Sequence, residues 1–314
     1  MSQTSGSSAS GSTLFSSASV ANTEQFTGAD WGLFLSISII WGASFLLIAE
    51  ALESLTPGFI TLGRTGLGAI TLVALRVVRP TQGSIAREDW PRVVLLSVLW
   101  VAIPFTLFPL AEQHINSAIT GLLNGGMPIF AAIVSTVLVK TAPTAIQRIG
   151  ILVGFVGVVL ISLPSLTEGS SQAKGVLMVL AATVCYGFAI NVAAPLQQRY
   201  GAVLLMSSVL VLAALWNLPY GLYRFGDNEF EAIPVLSVAA IGVAGTGLAY
   251  WIFATLVGRV GAIRASFITY LIPVVSLVLG VVVREDEVAA LAIVGAVLTI
   301  GGALLASRKA SGTS

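Results

Sequence analysis

The charges of this chain are spaced so widely that the gaps between them dictate the fold. Uncharged intervals cover 31–49, 93–111, 115–139, 149–167, 175–198, 200–223, 232–258, 265–283 and 288–307, and a tenth, 54–75, is broken only by Arg64. Each holds 19 residues or more, and a helix needs about 20 to cross a hydrocarbon layer roughly 30 Å thick. Of the 314 residues 56% are hydrophobic and 9% charged, whereas soluble domains average about 25% charged. Backbone in lipid must satisfy its own hydrogen bonds, which a helix does within one segment. The expected fold is an all-α membrane protein with ten transmembrane helices.

Basic residues give the orientation, because they collect in cytoplasmic loops. With a cytoplasmic N-terminus and alternating spans, the inner side receives Arg76, Arg79, Arg87, Arg92, Lys140, Arg148, Arg199, Arg259, Arg264, Arg308 and Lys309. The outer side receives Lys174, Arg224 and Arg284. Both termini are therefore expected in the cytoplasm, with the chain in the cell membrane. A net charge of +1 without a basic run argues against a nucleic-acid partner. Cys185, alone and within a span, cannot form an intramolecular disulfide. No phosphate-cradling loop occurs, so transport would run on a gradient or on exchange; no cofactor or metal is expected. Residues 1–28, rich in Ser, Gly, Thr and Ala, read as a disordered tail, and 308–314 as a short C-terminal tail.

An offset of 145 residues relates the two halves without a gap. It pairs Gly42 with Gly187, Phe108 with Phe253, Pro128 with Pro273, Gly150 with Gly295 and Gly157 with Gly302. A repeat of five spans reverses direction, since five is odd. The units 31–163 and 174–307 are thus expected to form an inverted repeat around a midplane site.

The stretch from Glu112 to Pro128 places an acid, the single histidine, three amides and three glycines between two apolar runs. Polar groups at that depth are costly unless they face protein or a water-filled cavity. Glu112 and His114 at the end of span 3 could couple protons; interfacial placement is the plainer alternative. Asn124, among Gly121, Gly125 and Gly126, suits a cavity wall or an interhelix hydrogen bond, and Tyr270 falls near its counterpart in the second half. Arg64, roughly 10 Å along its helix from Pro57, either grips a substrate carboxylate or ties span 2 to Glu50, Glu112 or a free carbonyl. Trp41, Ser44, Tyr186 and Asn191 lie mid-span and are read as cavity walls, whereas Trp31 and Trp90 are read as interface anchors. Gly150 and Gly154 in span 5, with Gly295, Gly301 and Gly302 in span 10, read as tight helix contacts or a face for a homo-oligomer.

The order of Trp41-Gly42-Ala43-Ser44-Phe45, Pro57 to Arg64, Glu112 to Pro128, Gly150, Gly154 and Gly157, then Tyr186-Gly187, Pro273, Glu285, Gly295 and Gly302 resembles the ten-span EamA-type members of the drug/metabolite transporter superfamily. The likeness spans residues 31–307. It implies helices 1–4 and 6–9 around a central cavity, helices 5 and 10 to one side, and secondary transport, often export, of amino acids or other small metabolites. Two departures stand out: Lys140 occupies a position where such proteins often carry an acid, and span 1 lacks a buried acid. The expected function is alternating-access transport of a small-molecule substrate, with export favoured. An intramembrane enzyme acting on a lipid-linked substrate is the rival, which one His, one Cys and no mid-span acid disfavour.

Overall fold

The computed structural model describes residues 26–79, 83–139 and 143–307. Lys140, Arg308, Lys309 and the proposed tails over 1–25 and 308–314 lie outside these residues. Every regular element among the described residues is helical. Eight helices are long and apolar enough to cross a membrane. They are α1 Gly28–Ala51, α2 Pro57–Val78, α3 Arg87–Glu112, α4 Ser117–Val137, α5 Ala145–Glu168, α6 Ser170–Tyr200, α7 Ala202–Leu222 and α8 Ala232–Val260. Two more apolar helices, α9 Ile268–Arg284 and α10 Ala290–Ala306, have 17 residues each, about 25 Å at 1.5 Å per residue. The chain is an integral multi-pass membrane protein.

Capping residues set several boundaries. Thr27 and Asp30 form a reciprocal capping box at the start of α1, each satisfying an N–H that the helix cannot. Phe26 packs on Trp31 and Phe34, so residues 26–28 belong to the helix start rather than to the expected tail. Thr56 caps α2, with Pro57 in its first turn. Its N–H and hydroxyl donate to Asn228 Oδ1, at 2.7 and 3.0 Å, joining the entry of α2 to the loop before α8.

Three of the helices are irregular. α4 breaks at Gly125 and Gly126, where the glycine-rich stretch predicts it. α3 contains a wide turn over Ser97–Ala102, and α8 contains one over Val243–Leu248. In these turns the N–H of Ile103 bonds back to Val98 O and that of Ala249 to Ala244 O, five residues away instead of four. Such π-type bulges free a neighbouring carbonyl and often sit at functional positions. Pro104, which has no N–H to give, follows the first.

Helix pairing is the same in both halves. α1 packs on α9 as α6 packs on α4, α1 on α8 as α6 on α3, and α2 on α8 as α7 on α3. α2 meets α7, α4 meets α9, and α5 meets α10. The α5–α10 seam is backbone on backbone: a Cβ at Gly302 would lie 2.2 Å from Gly154 N and one at Gly150 2.4 Å from Ala306 N. These glycines face one another within the chain. Trp31 and Trp90 are exposed, as interface anchors would be.

Candidate functional site

α2, α3, α6 and α8 bring the charged centre together. Arg64 on α2 is buried, with 7% of its surface exposed. Its Nε donates to Thr246 Oγ1 at 3.3 Å, and its guanidinium carbon stands 3.8 Å from the centroid of the Phe105 ring on α3. Thr246 donates its own hydroxyl hydrogen to Ile241 O at 2.8 Å, five residues back and just before the α8 bulge. That commitment leaves its oxygen to accept from Arg64. The two Nη nitrogens of Arg64 carry no hydrogen bond among the described residues. Tyr186 on α6, Tyr250 on α8 and Glu112 on α3 are the ionisable side chains whose fields reach it.

Aromatic groups line the same α8 turn. Trp41 Nε1 donates to Gly245 O, a carbonyl within the bulge, at 3.2 Å, with its ring 5.9 Å from Tyr250 and 5.4 Å from Phe253. Ser44 is buried, bonds to Ile40 O at 3.2 Å and faces Gly245. Tyr186 is buried with its ring 6.1 Å from Phe108. At the matching bulge of α3, Trp216 Nε1 donates to Ser97 Oγ at 3.0 Å.

Several buried polar atoms have no hydrogen-bond partner among the described residues: Ser54 Oγ, Asn124 Oδ1, Asn217 Nδ2 and both carboxylate oxygens of Glu112. Buried polar groups are almost always hydrogen-bonded, so these atoms are exceptions within the bundle. The remaining residues expected at the site serve as joints. Asn191 donates to Ala131 O at 3.2 Å and Gly187 O at 2.8 Å, tying α6 to α4. The Tyr270 hydroxyl lies 3.3 Å from Ala303 O and 2.8 Å from Ser307 Oγ, tying α9 to α10. His114 is apart from the Glu112 carboxylate, with Nδ1 2.8 Å from Ser171 Oγ at the exposed start of α6. Glu50, one of the ties considered for Arg64, is bonded instead by Arg284 at 2.6 Å.

Thr246 and Phe105 are the residues that sequence reasoning missed. A threonine flanked by Gly245 and Gly247, midway along an apolar span, was the available signal. Ion pairs close both ends of the bundle. Arg259 pairs with Asp30, and Asp89 accepts from Arg199 and the Tyr200 hydroxyl, each at 2.7 Å. At the opposite end Arg284 spans Glu50 and Glu53.

The EamA-like transporter family matches residues 31–163 and 173–308. The chain belongs to that family. It is 25% identical over 284 residues to an uncharacterized transporter of Archaeoglobus fulgidus, covering 89% of this chain and 99% of that one. It is 24% identical over 266 residues to the uncharacterized transporter YdfC of Bacillus subtilis, covering 84% and 86%. The uncharacterized inner membrane transporter YedA of Escherichia coli is 22% identical over 262 residues, covering 80% and 81%. One crystal structure shares the fold with a TM-score of 0.63 at 18% identity, over 88% of this chain and 96% of that one. The chain is a membrane transporter.

Proposed function

We propose that this EamA-family chain is a secondary-active exporter of small carboxylate-bearing metabolites in the cell membrane. Ten helices cross the bilayer, as two inverted five-helix repeats with both termini cytoplasmic. The identical pairing of helices in the two halves and the matched bulges of α3 and α8 support this arrangement. A 17-residue helix is at the short end of what spans a bilayer, so α9 and α10 complete the ten.

One observation carries the substrate reading: Arg64 is buried in the bundle with both Nη nitrogens unbonded. A planar fork of that kind is suited to a carboxylate, which it can hold through two parallel hydrogen bonds. Phe105 and Thr246 hold the guanidinium, and Tyr186, Tyr250 and Trp41 supply aromatic walls. Rocking of one repeat against the other would break the ion pairs at one end and re-form those at the other, opening the Arg64 site to each side in turn.

Counterflow in proteoliposomes tests the function. Vesicles loaded with an unlabelled carboxylate should accumulate the labelled solute transiently, and the solute should be recovered chemically unchanged. Conversion of the solute would move the assignment to an intramembrane enzyme; absence of counterflow across a broad panel would contradict transport of this class.

A further inference from the structure

A cavity of about 510 Å³ opens at the end of the bundle where α1 turns into α2. Its walls come from that turn, the start of α2, the end of α3, the end of α7 and the α7–α8 loop. None of the side chains grouped around Arg64 lines it, and Arg64 itself lies roughly 10 Å along α2 from Pro57 on the cavity wall. Small-molecule sites run from about 300 to 1,000 Å³, so the space admits a solute. The loop on one side is fastened in place. Asn228 accepts from the Thr56 N–H at 2.7 Å and donates to Phe225 O at 2.8 Å, and the Glu229 N–H donates to Ser54 O at 2.9 Å. Phe225 and Phe230 pack on Phe59 of α2, with centroids 5.8 and 5.4 Å away. A site held in this way needs little ordering when it binds.

Three acids and one guanidinium line the cavity: Glu53, Asp227, Glu229 and Arg224. All but one are committed. Arg224 pairs with Asp227, and Glu53 shares Arg284 with Glu50. The Glu229 side chain is exposed and makes no hydrogen bond or ion pair among the described residues. The exposed Gln113 amide and the hydroxyls of Tyr220 and Tyr223 are equally uncommitted among those residues. What the walls offer is therefore one carboxylate with neutral acceptors around it, a set that takes N–H donors on a cation. The two tyrosines, three residues apart at the end of α7, add aromatic faces that attract positive charge. Leu52, Leu55 and Leu110 supply carbon surface. An alkali ion gains nothing from such walls, whereas an alkyl chain gains by being buried against them.

We propose that this cavity binds a small primary alkylammonium solute, with its charged head on Glu229 and its chain against Leu52 and Leu110. Gln113 and the tyrosine hydroxyls accept the N–H groups that Glu229 leaves over. The site concerns binding alone and stands whatever solute Arg64 carries.

The test is equilibrium dialysis of radiolabelled n-butylammonium against the purified full-length protein in detergent, with protein-free micelles as the blank. The expected result is saturable binding above the blank, displaced by unlabelled butylammonium but not by sodium at the same concentration. n-Butanol, which has the chain without the charge, should not displace it either. Glu229→Gln removes the charge from an exposed side chain that has no bond to lose, and should raise the dissociation constant about tenfold or more. Arg64→Gln should bind as wild type does. Binding no greater than the blank overturns the site, as does displacement by sodium or butanol. An unchanged dissociation constant in Glu229→Gln overturns it too, and loss of binding in a folded Arg64→Gln would move the amine to the centre of the bundle. Should Glu229→Gln fail to purify in folded form, Tyr223→Ala takes its place, with an expected rise of about two- to fivefold; wild-type affinity there overturns the site.

Discussion

Two adjacent glycines in α10 should respond to the same substitution with opposite signs. At Gly302 an added Cβ would lie 2.2 Å from Gly154 N, 2.5 Å from Gly154 Cα and 2.6 Å from Gly150 O, all backbone atoms of α5. No rotamer change relieves such a clash, so α5 and α10 must move apart by about 1 Å before contact distances near 3.5 Å return. Separation also loosens the rest of the seam, where Gly157 sits against Thr299 and Gly295 just as closely. Overpacking ordinarily costs about 1–3 kcal/mol, and a backbone-on-backbone clash belongs at the upper end. At Gly301, nothing lies within 4 Å of the added carbon, and alanine gains about 0.5–1 kcal/mol of helix propensity over glycine. Gly302→Ala and Gly301→Ala should therefore differ by about 3 kcal/mol, roughly a hundredfold in the folding equilibrium. Equilibrium unfolding by SDS titration, followed by circular dichroism, measures this. Equal stabilities, or a more stable Gly302→Ala, would refute the packing argument.

Other consequences concern the joints around the site. Thr246→Val removes the acceptor that holds Arg64 Nε and should raise the half-saturating concentration of a transported carboxylate by about tenfold up to about a hundredfold, a neutral-to-charged hydrogen bond being worth about 1.5–3 kcal/mol. Thr246→Ser keeps the hydroxyl and should restore the wild-type value in the same counterflow assay. Asn228→Ala leaves the Thr56 N–H without its partner and should destabilise the protein by about 1–3 kcal/mol in the SDS titration, without altering solute preference.

The spans were legible because hydrocarbon tolerates so few charges, and the break at Gly125–Gly126 because glycine and a following proline announce it. The ends of the last two helices were less so: the acidic turn after Arg284 and the extended backbone at Ala289 shorten both to 17 residues. Arg64 was identifiable as the one charge inside a span. Its partners were harder to read: an i-to-i−5 turn has no residue signature of its own, and the Gly-Thr-Gly run at 245–247 does not say which helix Thr246 meets. Asn191 and Tyr270 show the opposite problem. A mid-span amide or phenol serves a cavity or a neighbouring helix carbonyl equally well, and the pattern along one chain does not say which way its helix is turned. Glu112 and His114, two residues apart in sequence, point to different environments for the same reason.

The most direct measurement of the central claim is counterflow of a labelled carboxylate by wild type and Arg64→Gln, reconstituted at equal density and matched for folded fraction. Saturable exchange in wild type, lost in Arg64→Gln while its unfolding midpoint is retained, is the predicted result. Undiminished exchange in a folded Arg64→Gln would make Arg64 a strut between α2 and α8 and contradict its assignment to the transport site.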